Sequence, residues 1–215
     1  MLKKNDHVKK YFSQVAKIAK LISSHKINFL AKELLRIKKK SGRVFFLGVG
    51  GSAGNSSHAV NDFRKLCNIE CYTPTDNVSE LTARINDEGW STSFMDWLKV
   101  SRFSKNDALF IFSVGGGNKK KKISTNLIKA IDYAKKIRAK VFGIIGKKNG
   151  HTNKYGNCVI VIPEIDKKMV TPHTEAFQAV VWHCLVSHPL LKSNKTIKVQ
   201  ITVPIPFRLL ACDTR

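Results

Sequence analysis

The sequence predicts an α/β fold, a doubly wound and mostly parallel sheet preceded by an N-terminal helical arm. Short apolar runs recur along the chain, and glycine turns or helix-like segments follow them. This alternation is typical of βαβ units. The runs are apolar at every position, as expected for parallel strands that are covered on both faces. The 215 residues suit one such domain with an appended arm or tail.

The arm is predicted to occupy residues 1–40. Apolar residues from Val8 to Leu35 recur at helical spacing, and the segment Ser23–His25 interrupts them. We therefore expect two helices, the first with an apolar stripe that needs a partner surface. Such an arm often forms subunit contacts.

The domain proper is predicted to span residues 41–192. Its predicted strands are 44–47, 108–112, 141–145 and 158–162, and its predicted helices are 56–66, 125–136 and 174–187. Residues 193–215 contain apolar, β-prone residues punctuated by proline, together with Lys195, Lys198, Arg208 and Arg215. They form a tail that the pattern does not assign to the core.

Composition restricts where the protein acts and what it binds. The net charge is +23, from 38 Lys and Arg against 15 Asp and Glu, which fits either an anionic partner or solubilising lysines. Five irregularly spaced cysteines and the lack of a leader-like or membrane-length apolar run indicate a reduced, cytoplasmic protein with no membrane partner. No DNA-binding motif is present, so nucleic acid is not expected as a partner.

Two glycine-rich loops follow predicted strands, at 48–54 and at 113–118. Glycine lets a backbone approach a ligand, and amides at the start of a helix favour an anion. Neither loop has dinucleotide or Walker spacing, and each alone could be a tight turn. Because both end parallel strands, they can converge on one site. The run Lys119–Lys122 that follows is interpreted as a solvated insertion rather than as a substrate contact.

Acid-base and metal-binding residue types cluster on two predicted helices. His58 and Asp62 are four residues apart and therefore share a helix face, while Glu175 and His183 lie on the last helix. The segment 86–90 is another polar cluster, which taken alone would be a turn.

In order along the chain, the segments 47–53, 58–62, 86–90, 113–118 and 175–183 resemble the landmarks of the SIS (sugar isomerase) domain family, most of all its phosphoheptose isomerases. The resemblance covers about residues 8–190. It implies a flavodoxin-like three-layer sandwich, and a cytoplasmic homotetramer with active sites between subunits. It also implies a sugar phosphate substrate and often a zinc ion.

The same resemblance assigns roles to individual residues. The implied zinc ligands are His58, Asp62, Glu175 and His183, of which the last three would also be the acid-base residues. The implied substrate-binding residues lie in the two loops and the polar cluster: Gly50, Gly51, Ser52, Asp87, Ser113, Gly115, Gly116, Gly117 and Asn118.

The sequence departs from the family pattern at three places. Val49 replaces an asparagine, and the second loop has glycines where the family has hydroxyl residues. Asp62 occupies the position of a longer family glutamate, and Glu175 occupies the position of an uncharged family glutamine, so the carboxylates of the site are placed differently. The phosphate could still bind through backbone amides and Ser113, or Ser124 and Thr125 could supply hydroxyls after the lysine insertion.

The predicted function is isomerisation of an aldose and a ketose phosphate through an enediol, with sedoheptulose 7-phosphate and D-glycero-D-manno-heptose 7-phosphate as the expected pair. The alternative is a non-catalytic SIS module that binds a sugar phosphate or a protein such as a replication initiator. Retention of His58, Asp62, Glu175 and His183 favours the enzyme.

Overall fold

The computed structural model describes residues 6–193. These residues form a five-stranded parallel sheet with helices on both faces, as the sequence predicts. The predicted tail lies outside the described residues, apart from Ser193. The division into an arm, a domain and a tail stays a prediction.

The elements alternate along the chain. The strands are β1 (Val44–Leu47), β2 (Cys71–Tyr72), β3 (Ala108–Ser113), β4 (Lys140–Ile145) and β5 (Cys158–Val161). The helices are α1 (Asp6–Leu21), α2 (Ser24–Lys39), α3 (Gly51–Cys67), α4 (Val78–Glu88), α5 (Ser93–Val100), α6 (Thr125–Lys136), α7 (His151–Tyr155) and α8 (Val170–Val186). Single 3-10 turns lie at Pro74–Asp76 and Lys167–Met169.

The strand order is β2-β1-β3-β4-β5, and every neighbouring pair is parallel. This is the flavodoxin-like order, in which the chain changes direction between β1 and β3. Leu47 pairs with Ile111, so the loops after β1 and β3 leave the same edge of the sheet. The fold thus brings the two glycine loops to neighbouring positions.

The sheet divides the core into two apolar layers. Val44 and Phe46 of β1 face a layer that includes α2, α3 and α8, whereas Phe45 and Leu47 face a layer that includes α5 and α6. Alternate side chains of a strand point to opposite faces, so a strand buried in both layers must be apolar throughout. This explains the continuous apolar runs in the sequence.

Several elements differ from the expectation. Helix α3 begins at Gly51 rather than at 56, so Gly51 and Gly54 of the first loop lie in its first turn and Gly50 precedes it as the N-cap. Helix α8 begins at Val170 rather than at 174. The segment 86–90, expected to be a turn, contains the end of α4. Strand β2 and helices α4, α5 and α7 have no counterpart among the elements predicted from the sequence. No helix among residues 6–193 is long and apolar enough to cross a membrane.

Candidate active site between α3 and α8

Helices α3 and α8 pack side by side on one face of the sheet and present polar residues to each other. Gly51 meets Glu175 at the start of the contact, and Asn55 meets Gln178 further along. His58 meets His183 nearer the ends, with 5.5 Å between the ring centroids. Because contacts advance in the same direction along both helices, the two helices run parallel.

His58, Asp62 and His183 form one group, with ligand-type atoms all within 4.8 Å of one another. Oδ2 of Asp62 lies 3.9 Å from Nε2 of His58 and 4.0 Å from Nε2 of His183. Its other oxygen, Oδ1, accepts a hydrogen bond from Asn61. The carboxylate therefore turns one oxygen toward both imidazoles.

The orientation of His183 is fixed on two sides. Its Nδ1 lies 2.8 Å from the carbonyl oxygen of Ala179, and a nitrogen beside a carbonyl must donate. In the neutral ring this leaves the lone pair on Nε2, the atom that faces Asp62. The indole of Trp182, fully buried, stacks on His183 with 3.5 Å between centroids and touches His58 edge-on. Nε2 of His183 is thus presented as a base or as a metal ligand.

The donor set of this group fits zinc. Two imidazole nitrogens and one carboxylate oxygen are ligands that Zn²⁺ takes, and catalytic zinc sites keep three protein ligands and one open position. The hydrogen bond from Nδ1 of His183 to a backbone carbonyl is the support that ligating histidines usually have. The structure thus brings together three of the four predicted ligands, His58, Asp62 and His183.

Glu175 is not part of that group. Its carboxylate lies against Gly51, where an added Cβ would come within 2.7 Å of Oε2. The side chain is half-buried at the first turn of α3. Its predicted part in metal binding stays a prediction, and in this position it faces the first glycine loop.

The sequence alone assigns no role to Asn55, or to Gln178, which lies with Glu175 and His183 on the last predicted helix. Nδ2 of Asn55 donates to Oε1 of Gln178 at 2.9 Å and to the carbonyl oxygen of Glu175 at 3.0 Å. Nε2 of Gln178, fully buried, donates to Oγ of Ser52 at 3.0 Å. The signal in the sequence is spacing, because Asn55 precedes His58 by three residues and therefore shares its helix face.

The second loop, residues 113–118, is closed on itself. The amide of Gly116 donates to Oγ of Ser113 at 3.0 Å, so the single hydroxyl of this loop already accepts a hydrogen bond from it. Gly116 and Gly117 have φ values of 68° and 81°, which only glycine adopts readily. Among residues 6–193, no hydrogen bond uses the amides of Gly115 and Gly117. The backbone donors of Gly115 and Gly117 are therefore unpaired among the described residues.

Asp87 is not brought to the other predicted site residues within this chain. It is exposed near the end of α4, where its Oδ1 accepts a hydrogen bond from Asn86. Nor do the site residues line the cavity of about 1000 Å³ at the carboxyl ends of β4 and β5, where Lys26, Lys147 and Lys167 lie. We place the candidate site between α3 and α8 because the chemical groups converge there, on an open surface.

The sheet order, the two loops and the polar contact between α3 and α8 define a SIS-type α/β protein. A family model for the SIS domain matches residues 10–146, and the chain belongs to this family.

Two sequence relatives and one solved structure show which members of the family this chain is similar to. The lincomycin biosynthesis protein LmbN of Streptomyces lincolnensis is 30% identical over 158 residues, which are 68% of this chain and 56% of LmbN. The phosphoheptose isomerase of Aliarcobacter butzleri (strain RM4018) is 28% identical over 191 residues, 83% of this chain and 92% of the relative. The structure of a phosphoheptose isomerase from Neisseria gonorrhoeae superposes with a TM-score of 0.73 at 19% identity, over 85% of this chain and 97% of that one, and so bears out the fold. The curated relatives confirm the isomerase class that the sequence predicts and support a phosphosugar isomerase.

Proposed function

We propose that the protein interconverts sedoheptulose 7-phosphate and D-glycero-D-manno-heptose 7-phosphate. The observation that carries this proposal is the group of His58, Asp62 and His183, with the lone pair of His183 directed at the carboxylate. Imidazole and carboxylate side by side are the groups that proton transfer between C1 and C2 of a sugar requires. Relatives that are phosphoheptose isomerases support this choice of sugar.

In the direction from aldose to ketose, a base removes the proton from C2, and the C–H electrons form the C1=C2 bond of an enediol. An acid delivers a proton to O1. The proton on O2 then leaves as C2 becomes the carbonyl, and C1 takes up a proton. Without a bound metal, we assign these transfers to His183 and to the carboxylates of Asp62 and Glu175, which lie along one helix contact.

His58, Asp62 and His183 would hold a zinc ion, and Glu175 would join them only by leaving its place beside Gly51. Bound there, zinc supplies Lewis-acid polarisation of the sugar carbonyl. The one free lone pair of His183 can bind a proton or a metal, but not both. Glu175, outside the group, is then the carboxylate that remains available to move the carbon-bound proton.

The phosphate would bind at the carboxyl edge of the sheet. Gly50 precedes α3 as its N-cap, and Gly51 and Ser52 begin the helix, whose first amides favour an anion. In the second loop, the amides of Gly115 and Gly117 make no hydrogen bond among the described residues and would be the donors. The net charge of +23 would attract the anionic sugar. Asn118 lies at the end of this loop, where its side chain accepts a hydrogen bond from the amide of Lys121.

We further propose that the active form is a cytoplasmic homotetramer in which a neighbouring subunit completes each site. Among residues 6–193, no hydrogen bond or ion pair joins Asp87 to the other site residues, and the site is an open surface, so a second copy can contribute to it. Val8, Phe12 and Leu21 of α1 are more than half exposed, which gives apolar area for such contacts.

The test is incubation with sedoheptulose 7-phosphate in D₂O, with and without zinc, followed by NMR for the aldose and for deuterium at its C2. Conversion with solvent deuterium is expected, because an enediol exchanges its carbon-bound proton. Asp62→Ala and His183→Ala should abolish conversion, whereas His188→Ala should keep it, since His188 pairs with Asn28 outside the site. Full turnover in both of the first two variants would show that the proton carriers are assigned wrongly.

A further inference from the structure

Three side chains from different segments meet behind the second glycine loop. Lys119 follows the loop directly, Asp132 lies on α6, and His151 begins α7. Oδ1 of Asp132 lies 2.7 Å from Nε2 of His151, and Oδ2 lies 2.9 Å from Nζ of Lys119. One carboxylate therefore joins the lysine insertion to α7.

Backbone hydrogen bonds complete a ring. The amide of His151 donates to the carbonyl oxygen of Gly117 at 2.9 Å, and the amide of Thr152 donates to that of Gly116 at 2.8 Å. The path from Gly117 through Lys119, Asp132 and His151 returns to Gly117. The loop is thus held at its middle by α7 and at its end by α6.

The histidine end of the ring is buried, whereas the side chains of Lys119 and Asp132 are 59% and 39% exposed. His151 is only 7% exposed, and its imidazole lies 4.5 Å from the ring of Tyr155. Nζ of Lys135 lies 3.6 Å from the centroid of the Tyr155 ring. Burial alone would raise the pKa of Asp132, but the hydrogen bonds from Lys119 and His151 outweigh it and lower this pKa.

We propose that Lys119, Asp132 and His151 are positioning residues that hold the amides of Gly115 and Gly117 in the orientation that binds the substrate phosphate. This inference rests on the proposed function. The loop has glycines where hydroxyl side chains would otherwise bind the phosphate, and glycine has the largest conformational freedom to lose. A preformed loop avoids that ordering cost on binding. It also gives one lysine of the insertion a structural role.

The test measures the Kd of inorganic phosphate and the KM and kcat for the sugar phosphate in Lys119→Ala, Asp132→Asn and His151→Gln. We expect phosphate affinity to fall about tenfold and KM to rise by a similar factor, with kcat within about twofold, because only loop order is lost. The control is Lys120→Ala, which removes the same charge at the neighbouring position. Unlike Lys119, Lys120 forms no ion pair among residues 6–193. Lys119→Arg should restore affinity.

Asp132→Asn separates positioning from simple electrostatics. Removing a negative charge near the loop would tighten phosphate binding if charge alone mattered, whereas loss of positioning weakens it. Exchange of the amide protons of His151 and Thr152 should also speed up about tenfold, because opening the ring frees both from the loop.

The proposal is overturned if the three ring variants match Lys120→Ala in phosphate affinity, or if the unchanged protein binds no phosphate. Failure of the proposed function has a different signature. In that case the unchanged protein binds phosphate, the ring variants bind it more weakly, and no heptose phosphate is converted.

Discussion

The carboxylate of Glu175 on α8 lies directly against the α-carbon of Gly51, the first residue of α3. A methyl group at position 51 would come within 2.7 to 2.9 Å of both carboxylate oxygens and the carbon between them. The close approach is possible only because residue 51 has no side chain. The glycine at position 51 therefore leaves room for the carboxylate of Glu175, an acid-base candidate, beside the first amides of α3.

We expect Gly51→Ala to reduce turnover at least tenfold while leaving the free energy of unfolding within about 0.5 kcal/mol, since the displaced group is the end of a flexible side chain. The control is Gly54→Ala, three residues along the same helix, where an added Cβ meets nothing within 4 Å. It should keep turnover and stabilise α3 by up to about 1 kcal/mol. Equal turnover in the two variants would remove Glu175 from the proposed site.

Zinc affinity tests the group of His58, Asp62 and His183. We expect His58→Ala, Asp62→Asn and His183→Ala each to lower zinc affinity more than about 100-fold, since loss of even an outer-shell partner costs 10- to 100-fold. Competition with a metal-sensitive dye measures this without any assay of activity. His188→Ala is the matched control, because His188 follows the same helix but lies outside the group.

Glu175→Gln tests whether Glu175 is a ligand or a proton carrier. Because the carboxylate of Glu175 lies beside Gly51, we expect zinc affinity to change by less than about threefold. Deuterium exchange at C2 should slow at least about 100-fold, as for loss of a general base. A large loss of zinc affinity would instead make Glu175 the fourth ligand predicted from the sequence. It would also move the proton transfer to another group.

The sequence predicts much of this fold because burial on both sides of the sheet leaves a local signal. Strand β1 and helix α6 have the predicted bounds, and His58 and Asp62 share a face as their spacing requires. Helix α4 has 11 residues, none of them buried, and it ends inside the polar cluster 86–90, which locally resembles a turn. The sequence pattern therefore does not place Asp87 on a helix. Local spacing does not predict the parallel contact of α3 with α8, because that contact depends on strand order; only the family resemblance implies that residues of the two helices meet. Asn55 and Gln178 acquire their roles only through that contact.

Acid stability depends on Asp107, which is 2% exposed and binds Arg43. Burial alone would raise the pKa of Asp107, but hydrogen bonds from the Arg43 side chain and from the amides of Arg43 and Ser104 lower it below its ordinary 3.8. Since the folded-state pKa is the lower one, the stabilisation is complete above about pH 4 and is lost as pH falls through the folded-state value.

We therefore expect Asp107→Asn to lower the free energy of unfolding by about 3 kcal/mol at pH 7, as for one partner removed from a buried pair. The difference in unfolding free energy between the variant and the unchanged protein, measured by urea titration, should become smaller below pH 4. Asp96→Asn is the control, because the Asp96–Lys99 pair lies on the surface and such pairs contribute about 0 to 1 kcal/mol. A constant difference from pH 7 to pH 3 would contradict the assignment of this pH dependence to Asp107.

Gln178 links the two halves of the candidate site, because its amide joins Ser52 of the first loop to Asn55 of α3. Gln178→Met keeps the volume but leaves the buried hydroxyl of Ser52 without a donor, so we expect a loss of about 2 kcal/mol in unfolding free energy. Removing both partners in Ser52→Ala/Gln178→Met should cost less than the sum of the single changes, since no polar atom of that pair is then left unsatisfied. Urea unfolding of the four proteins measures this coupling. Additive losses would mean that the hydrogen bond between Gln178 and Ser52 contributes nothing to holding the first loop against α8.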